Sequence, residues 1–81
     1  QNYPNPFYPG TRIDFTLNER KHVTIDVHDG IGRKIQTLLD ETRDSGYYSV
    51  DFDGSGLASG VYFYRIRTDE VTTTKKMVLI K

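Results

Sequence analysis

Apolar side chains recur at every second position through most of this chain, the period that gathers them on one face of an extended strand. In Thr11–Leu17, Ile13, Phe15 and Leu17 alternate with Arg12, Asp14 and Thr16. In His22–His28, Val23, Ile25 and Val27 alternate with Thr24, Asp26 and His28. Each segment predicts a strand with its apolar set inward and its polar set toward water. A third, shorter strand is predicted over Arg33–Leu39, anchored by Ile35 and Leu38; the adjacent Leu38-Leu39 breaks the alternation, so a bulge or an early stop is expected there. Tyr47–Asp53 predicts a fourth strand with Tyr48, Val50 and Phe52 on one face. The last quarter, Gly60–Lys81, reads as a hairpin around the polar tip Thr68-Asp69-Glu70. Its first arm sets Tyr62, Tyr64 and Ile66 against Phe63, Arg65 and Arg67. Its second arm ends in Met77-Val78-Leu79-Ile80, too apolar for a solvated tail, and is predicted to be tied into a sheet.

The segments between these runs carry turn chemistry. Asn18–Lys21 is a polar turn, and Asp29-Gly30-Ile31-Gly32 offers positive-φ positions for a tight reversal. Asp40–Gly46 is the longest purely polar stretch, with Ser45-Gly46 as its turn signal. Gly54–Gly60 crosses to the closing hairpin, and its one large apolar residue, Leu57, is expected to be pinned into the core. All three prolines fall in Tyr3-Pro4-Asn5-Pro6-Phe7-Tyr8-Pro9-Gly10. Proline fixes φ and extends the residue before it, so residues 1–10 are expected to form a stiff lead-in packed on a body of residues 11–81. Tyr3, Phe7 and Tyr8 would lie over the sheet as a lid. No stretch sustains helical spacing. The expected fold is all-β: an Ig-like antiparallel β-sandwich of six to seven short strands with no substantial helix.

Composition narrows the function classes. Eighty-one residues make one domain. Eleven Lys and Arg balance eleven Asp and Glu, which argues against a nucleic-acid or anionic-membrane binder working through bulk charge. There is no cysteine, hence no disulfide and no thiolate metal site. No apolar run approaches the roughly 20 residues that span a bilayer, so no membrane insertion is expected. Nothing resembles a signal peptide, and the opening Gln1 suggests a piece of a longer chain.

Candidate chemistry is sparse. Asp51-Phe52-Asp53-Gly54-Ser55-Gly56 has the look of a calcium loop, but the twelfth position from Asp51 is Tyr62 rather than a bidentate Glu, and strands flank the run. A turn is the better reading, with a weak calcium site on Asp51, Asp53 and loop carbonyls as the alternative. His22 and His28 fall on one strand about 20 Å apart at about 3.3 Å per residue, too far to share a metal. Ser45, Ser49, Ser55 and Ser59 have no histidine placed to activate them. Asp14 and Asp26 read as charge decoration on solvated faces. Gly30-Ile31-Gly32-Arg33 opens a strand rather than a helix, so it cannot cradle a phosphate on a helix N-terminus. Tyr3, Phe7, Tyr8, Tyr47, Tyr62 and Phe63 could form a carbohydrate-binding platform, but a small domain without disulfides uses such residues for packing. No enzyme, no cofactor and no metal is expected.

The ordered set Asn2-Tyr3-Pro4-Asn5-Pro6-Phe7, Thr11-Arg12-Ile13-Asp14-Phe15, Val23-Thr24-Ile25-Asp26-Val27, Asp29-Gly30-Ile31-Gly32-Arg33-Lys34-Ile35, Ser59-Gly60-Val61-Tyr62-Phe63-Tyr64-Arg65 and Lys76-Met77-Val78-Leu79-Ile80-Lys81 resembles the type A C-terminal sorting domain of type IX secretion cargo. That family is related in fold to the Ig-like domain of the flagellar hook-capping protein. The resemblance implies the last domain of a longer exported protein, with an N-terminal cargo domain in the same chain. It implies the outer-membrane type IX translocon and its associated sortase as partners, and a monomer. It also implies export through the periplasm to the cell surface or beyond, with cleavage near the domain's start and surface attachment of the cargo. By position, the recognition elements are Tyr3, Pro4, Asn5 and Pro6; Gly60, Val61 and Tyr62; and Lys76, Met77, Val78, Leu79, Ile80 and Lys81. The departures are Tyr8 in place of a commoner asparagine, a short Asp53–Ser59 loop, and Phe52 where tryptophan is frequent. The competing reading is an accessory Ig-like or carbohydrate-binding module of a secreted enzyme; a hook-cap-like structural protein is a third.

Overall fold

A strand that is apolar on one face only must hide that face against a second layer, so alternating strands of this kind assemble as two sheets around one core. The computed structural model describes the backbone of residues 2–3 and residues 10–80. The strands are β1 (Asn2–Tyr3), β2 (Gly10–Leu17), β3 (Lys21–Asp29), β4 (Lys34–Arg43), β5 (Gly46–Asp53), β6 (Gly60–Arg67) and β7 (Thr72–Leu79). They form a three-stranded sheet in the order β1-β2-β5 and a four-stranded sheet in the order β4-β3-β6-β7, with every pairing antiparallel. This is the expected antiparallel sandwich, and no helix occurs among the described residues.

The two sheets meet on the predicted inward residues of β2, β3, β5 and β6, joined by Leu39 of β4 and Met77 and Leu79 of β7. Ile13, Phe15, Leu17 and Phe52 of one sheet pack against Val23, Ile25, Val27, Leu39, Tyr62, Tyr64, Met77 and Leu79 of the other. Phe15 lies opposite Tyr48 in the ladder, and their rings stack at 5.3 Å between centroids. Leu57 is half-buried against this core, as its lone apolar character in the loop predicted.

Strand β4 departs from expectation. Ile35, read as a core anchor, is 39 % exposed, while Leu39 is buried and Leu38 half-buried. The ladder with β3 explains why. Val27 pairs with Gln36 and His28 with Lys34, skipping Ile35; Asp26 pairs with Thr37 and Ile25 with Leu39, skipping Leu38. The expected bulge is therefore present, and there are two. The early stop is absent: β4 continues through the polar Asp40–Arg43, which pair with β3 residues His22, Thr24 and their neighbours. An edge strand is held by its backbone ladder and needs no apolar face of its own.

Asp26 is the second correction. It points away from the core as alternation requires, yet its side chain is only 3 % exposed. Arg67 Nη2 donates to its Oδ2 at 3.0 Å and Thr37 Oγ1 to its Oδ1 at 2.9 Å. These longer neighbours on β6 and β4 fold over it, so it is a covered, fully engaged carboxylate rather than solvated decoration. Asp14 lies half-exposed beside Arg12 and accepts from Ser49 at 2.7 Å.

Candidate functional site

The residues singled out in Gly60–Tyr62 and in the closing strand are far apart in sequence, and the β6–β7 ladder sets them face to face. Gly60 pairs with Leu79, Val61 with Val78, Tyr62 with Met77 and Phe63 with Lys76. The hairpin tip fixes this register: Thr68 N donates to Val71 O at 2.8 Å, and Thr68 Oγ1 accepts the amides of Glu70 and Val71. Cross-strand partners share a face, so Tyr62, Met77 and Leu79 turn inward and are buried. The Tyr62 hydroxyl donates to Ala58 O at 2.7 Å, tying the crossing loop to the strand it precedes.

The other face of the same ladder is open. Val61 is 42 % exposed, and Ile80, just past the end of β7, is 51 % exposed; Val78 between them is half-buried. The β3–β4 turn backs onto this corner, for a Cβ on Gly30 would lie 3.3 Å from the Val61 carbonyl oxygen. That turn carries Ile31, 80 % exposed. Asp29 holds it: its Oδ1 accepts the amides of Ile31 and Arg33, and its Oδ2 accepts Arg33 Nε at 3.0 Å. These bonds to the charged form, the Arg33 amide foremost, lower the Asp29 pKa below the ordinary 3.8. Strand β7 is an edge strand, paired on one side with β6 and with no strand on the other among the described residues. Exposed aliphatic side chains at the end of a hairpin offer a partner apolar contacts for recognition.

Of the remaining predicted recognition residues, Tyr3 joins the sheet by pairing with Arg12. Its side chain, Pro4, Asn5, Pro6 and Lys81 lie outside the described residues, as does the expected lid of Phe7 and Tyr8. Strand β2 starts, β5 ends, β6 starts and β7 ends at the same end of the sandwich, which brings Tyr3 and the Val61–Val78 corner to that end.

The candidate chemistry falls into structural roles. Asp53 Oδ1 accepts the Ser55 amide at 2.9 Å, capping its turn, and position twelve of the suspected calcium loop, Tyr62, is core. His22 Nε2 bonds Asp40 at 2.6 Å, which lowers the Asp40 pKa, while His28 Nδ1 meets Gly32 O at 3.2 Å; the two do not converge. Among the described residues no three His, Cys, Asp or Glu side chains are grouped to hold a metal. Of the aromatic platform, the described residues form no line: Tyr47 is exposed, Phe63 half-buried and Tyr62 buried, while the side chains of Tyr3, Phe7 and Tyr8 lie outside the described residues.

One feature escaped the alternation. At the opposite end of the sandwich a groove of about 460 Å³ opens between β2 and the β6–β7 tip, lined by Phe15, Leu17, Ile66 and Val71 with Lys21 and Glu70 at its mouth. Lys21 pairs with Glu70 there, and that contact raises the lysine pKa. The signal for the groove was in the chain: the β7 positions that face inward here, opposite Ile66 and Tyr64, are the polar Thr73 and Lys75.

No curated protein matches this sequence. The family model of the secretion system C-terminal sorting domain matches residues 1–81, the whole of the sequence, and this chain belongs to the family of secretion system C-terminal sorting domains.

Proposed function

We propose that the type IX translocon reads this domain at the corner formed by Gly60–Tyr62, Met77–Ile80 and the flanking lead-in Tyr3-Pro4-Asn5-Pro6. The domain is a C-terminal type IX sorting signal, which implies a cargo in the same chain and export toward the outer membrane or surface; its family is not one of enzymes. The observation that carries the finer reading is the cluster of aliphatic side chains at the end of the closing hairpin, Val61 and Ile80 exposed and Val78 half-buried beside them. A translocon surface docked there would gain aliphatic contacts from these side chains for affinity and specificity. The division into a lead-in of residues 1–10 and a body of residues 11–81 suits this role, the lead-in joining cargo to address. In this reading the domain acts as a monomer, the associated sortase cuts near its start, and the cargo is left attached to the cell surface.

The test is a fluorescent protein carrying residues 1–81 at its C-terminus, directed to the periplasm of a type IX-competent bacterium. Surface or extracellular fluorescence is expected, lost in a translocon-deficient strain. Retention in the periplasm of the competent strain, with the domain folded, refutes the reading.

A further inference from the structure

We infer that the cargo segment immediately preceding this domain continues β1 along the open edge of β2 and closes the groove between Phe15, Leu17 and the β6–β7 tip. This rests on the reading of the chain as the C-terminal domain of a longer cargo. The ladder sets the direction. Asn2 pairs with Ile13 and Tyr3 with Arg12, antiparallel, so a strand continued upstream of Asn2 would run toward Leu17. Continued in that register, the residue directly before Gln1 falls opposite Phe15, the second before it opposite Thr16, and the third opposite Leu17. The other edge of β2 is already filled by β5 along its full length, from Gly10–Asp53 to Leu17–Gly46. The edge on the β1 side is paired at Arg12 and Ile13 and carries no strand from Phe15 to Leu17 among the described residues.

The far sheet agrees. On β7 the inward positions Met77 and Leu79 are buried, while the inward positions Thr73 and Lys75 are exposed. The sandwich is thus closed at the β1 end and open where β1 has not yet begun. Ile66 and Val71 face that opening together with Phe15 and Leu17. A strand entering there would place its first and third residues upstream of Gln1 inward, because cross-strand partners share a face, and those two positions are expected to be apolar. It would pair the backbone of Phe15–Leu17 along that edge, and a covered edge does not invite edge-to-edge association.

The test uses the natural cargo with cysteines at the second residue before Gln1 and at Thr16→Cys. Thr16 is exposed and faces outward, so the core is untouched. Directly opposed residues have Cβ atoms about 4.5–5.5 Å apart, near disulfide reach. The domain has no cysteine of its own, and peptide mapping separates this bond from any in the cargo. Under a mild oxidant an intramolecular disulfide is expected in most molecules. Pairing the same upstream cysteine with Arg12→Cys, about 13 Å along the strand, should give none. Equal yields, no disulfide with Thr16→Cys, or a disulfide between two molecules would overturn the inference. Export of the unmodified cargo is assayed in parallel. Exported cargo without the cross-link sinks this inference alone; a cross-linked domain on cargo that stays in the periplasm sinks the sorting reading alone.

Discussion

Met77→Ala tests whether the closing strand is a structural staple as well as an edge. Met77 is completely buried opposite Tyr62, whereas its neighbour Lys76 is exposed on the other face of the same strand. Truncating a buried methionine to alanine costs about 2–5 kcal/mol, and at an edge strand that can settle inward the lower part of that range, about 2–3 kcal/mol, applies. A chain of 81 residues at about 0.05–0.15 kcal/mol per residue is stable by only about 4–12 kcal/mol. The substitution therefore removes a large share of the total, and the melting temperature should fall by about 10–20 °C at about 4–8 °C per kcal/mol. With a urea m-value near 1 kcal/mol/M, the midpoint should shift by about 2–3 M. Lys76→Ala should change stability by less than about 0.5 kcal/mol. Deleting Met77 to Lys81 removes Leu79 as well, a combined loss comparable to the whole stability. Cargo so truncated is expected to stay in the periplasm, with the domain unfolded. Circular dichroism in urea, with export measured on the same variants, separates the two roles. A loss below about 1 kcal/mol in Met77→Ala, or an equal loss in Lys76→Ala, would refute the docking of this strand.

Other substitutions probe the turn, the covered carboxylate and the proposed corner. Gly32 has φ +91°, and a Cβ there would meet nothing within 4 Å, so Gly32→Ala should cost about 1–2 kcal/mol from backbone conformation alone, read by urea unfolding. Arg67→Ala leaves the buried Asp26 with Thr37 as its remaining side-chain partner and should destabilise by about 1–3 kcal/mol, the same assay deciding. Asp29 has its folded pKa lowered, so its contribution is full above the unfolded value of 3.8 and is lost as pH falls through the folded value. Asp29→Asn should flatten the fall in urea midpoint between about pH 5 and pH 2; an unchanged pH profile would exclude this origin. Val61→Lys, at an exposed position, should leave stability within about 1 kcal/mol yet reduce export of a fused reporter if the translocon reads this corner.

Alternation along the strand is a local property of extended backbone, and it alone determined the inward sets of β2, β3, β5 and β6, while the apolar run Met77–Ile80 determined that the closing strand docks. Ile13, Phe15, Val23, Ile25, Val27, Phe52 and Tyr64 are core because every second side chain shares a face and those are the apolar ones. The ordered motifs likewise carried the family. The two bulges of β4 depend on which β3 residue each position meets, and burial of Asp26 depends on Arg67, 41 residues away, folding over it. The edge position of β7 and the groove beside β2 are facts of strand order. Period-two patterning fixes which way a side chain points, but not which strand lies next to it or what covers its far side; those were decided only when the two sheets closed on each other.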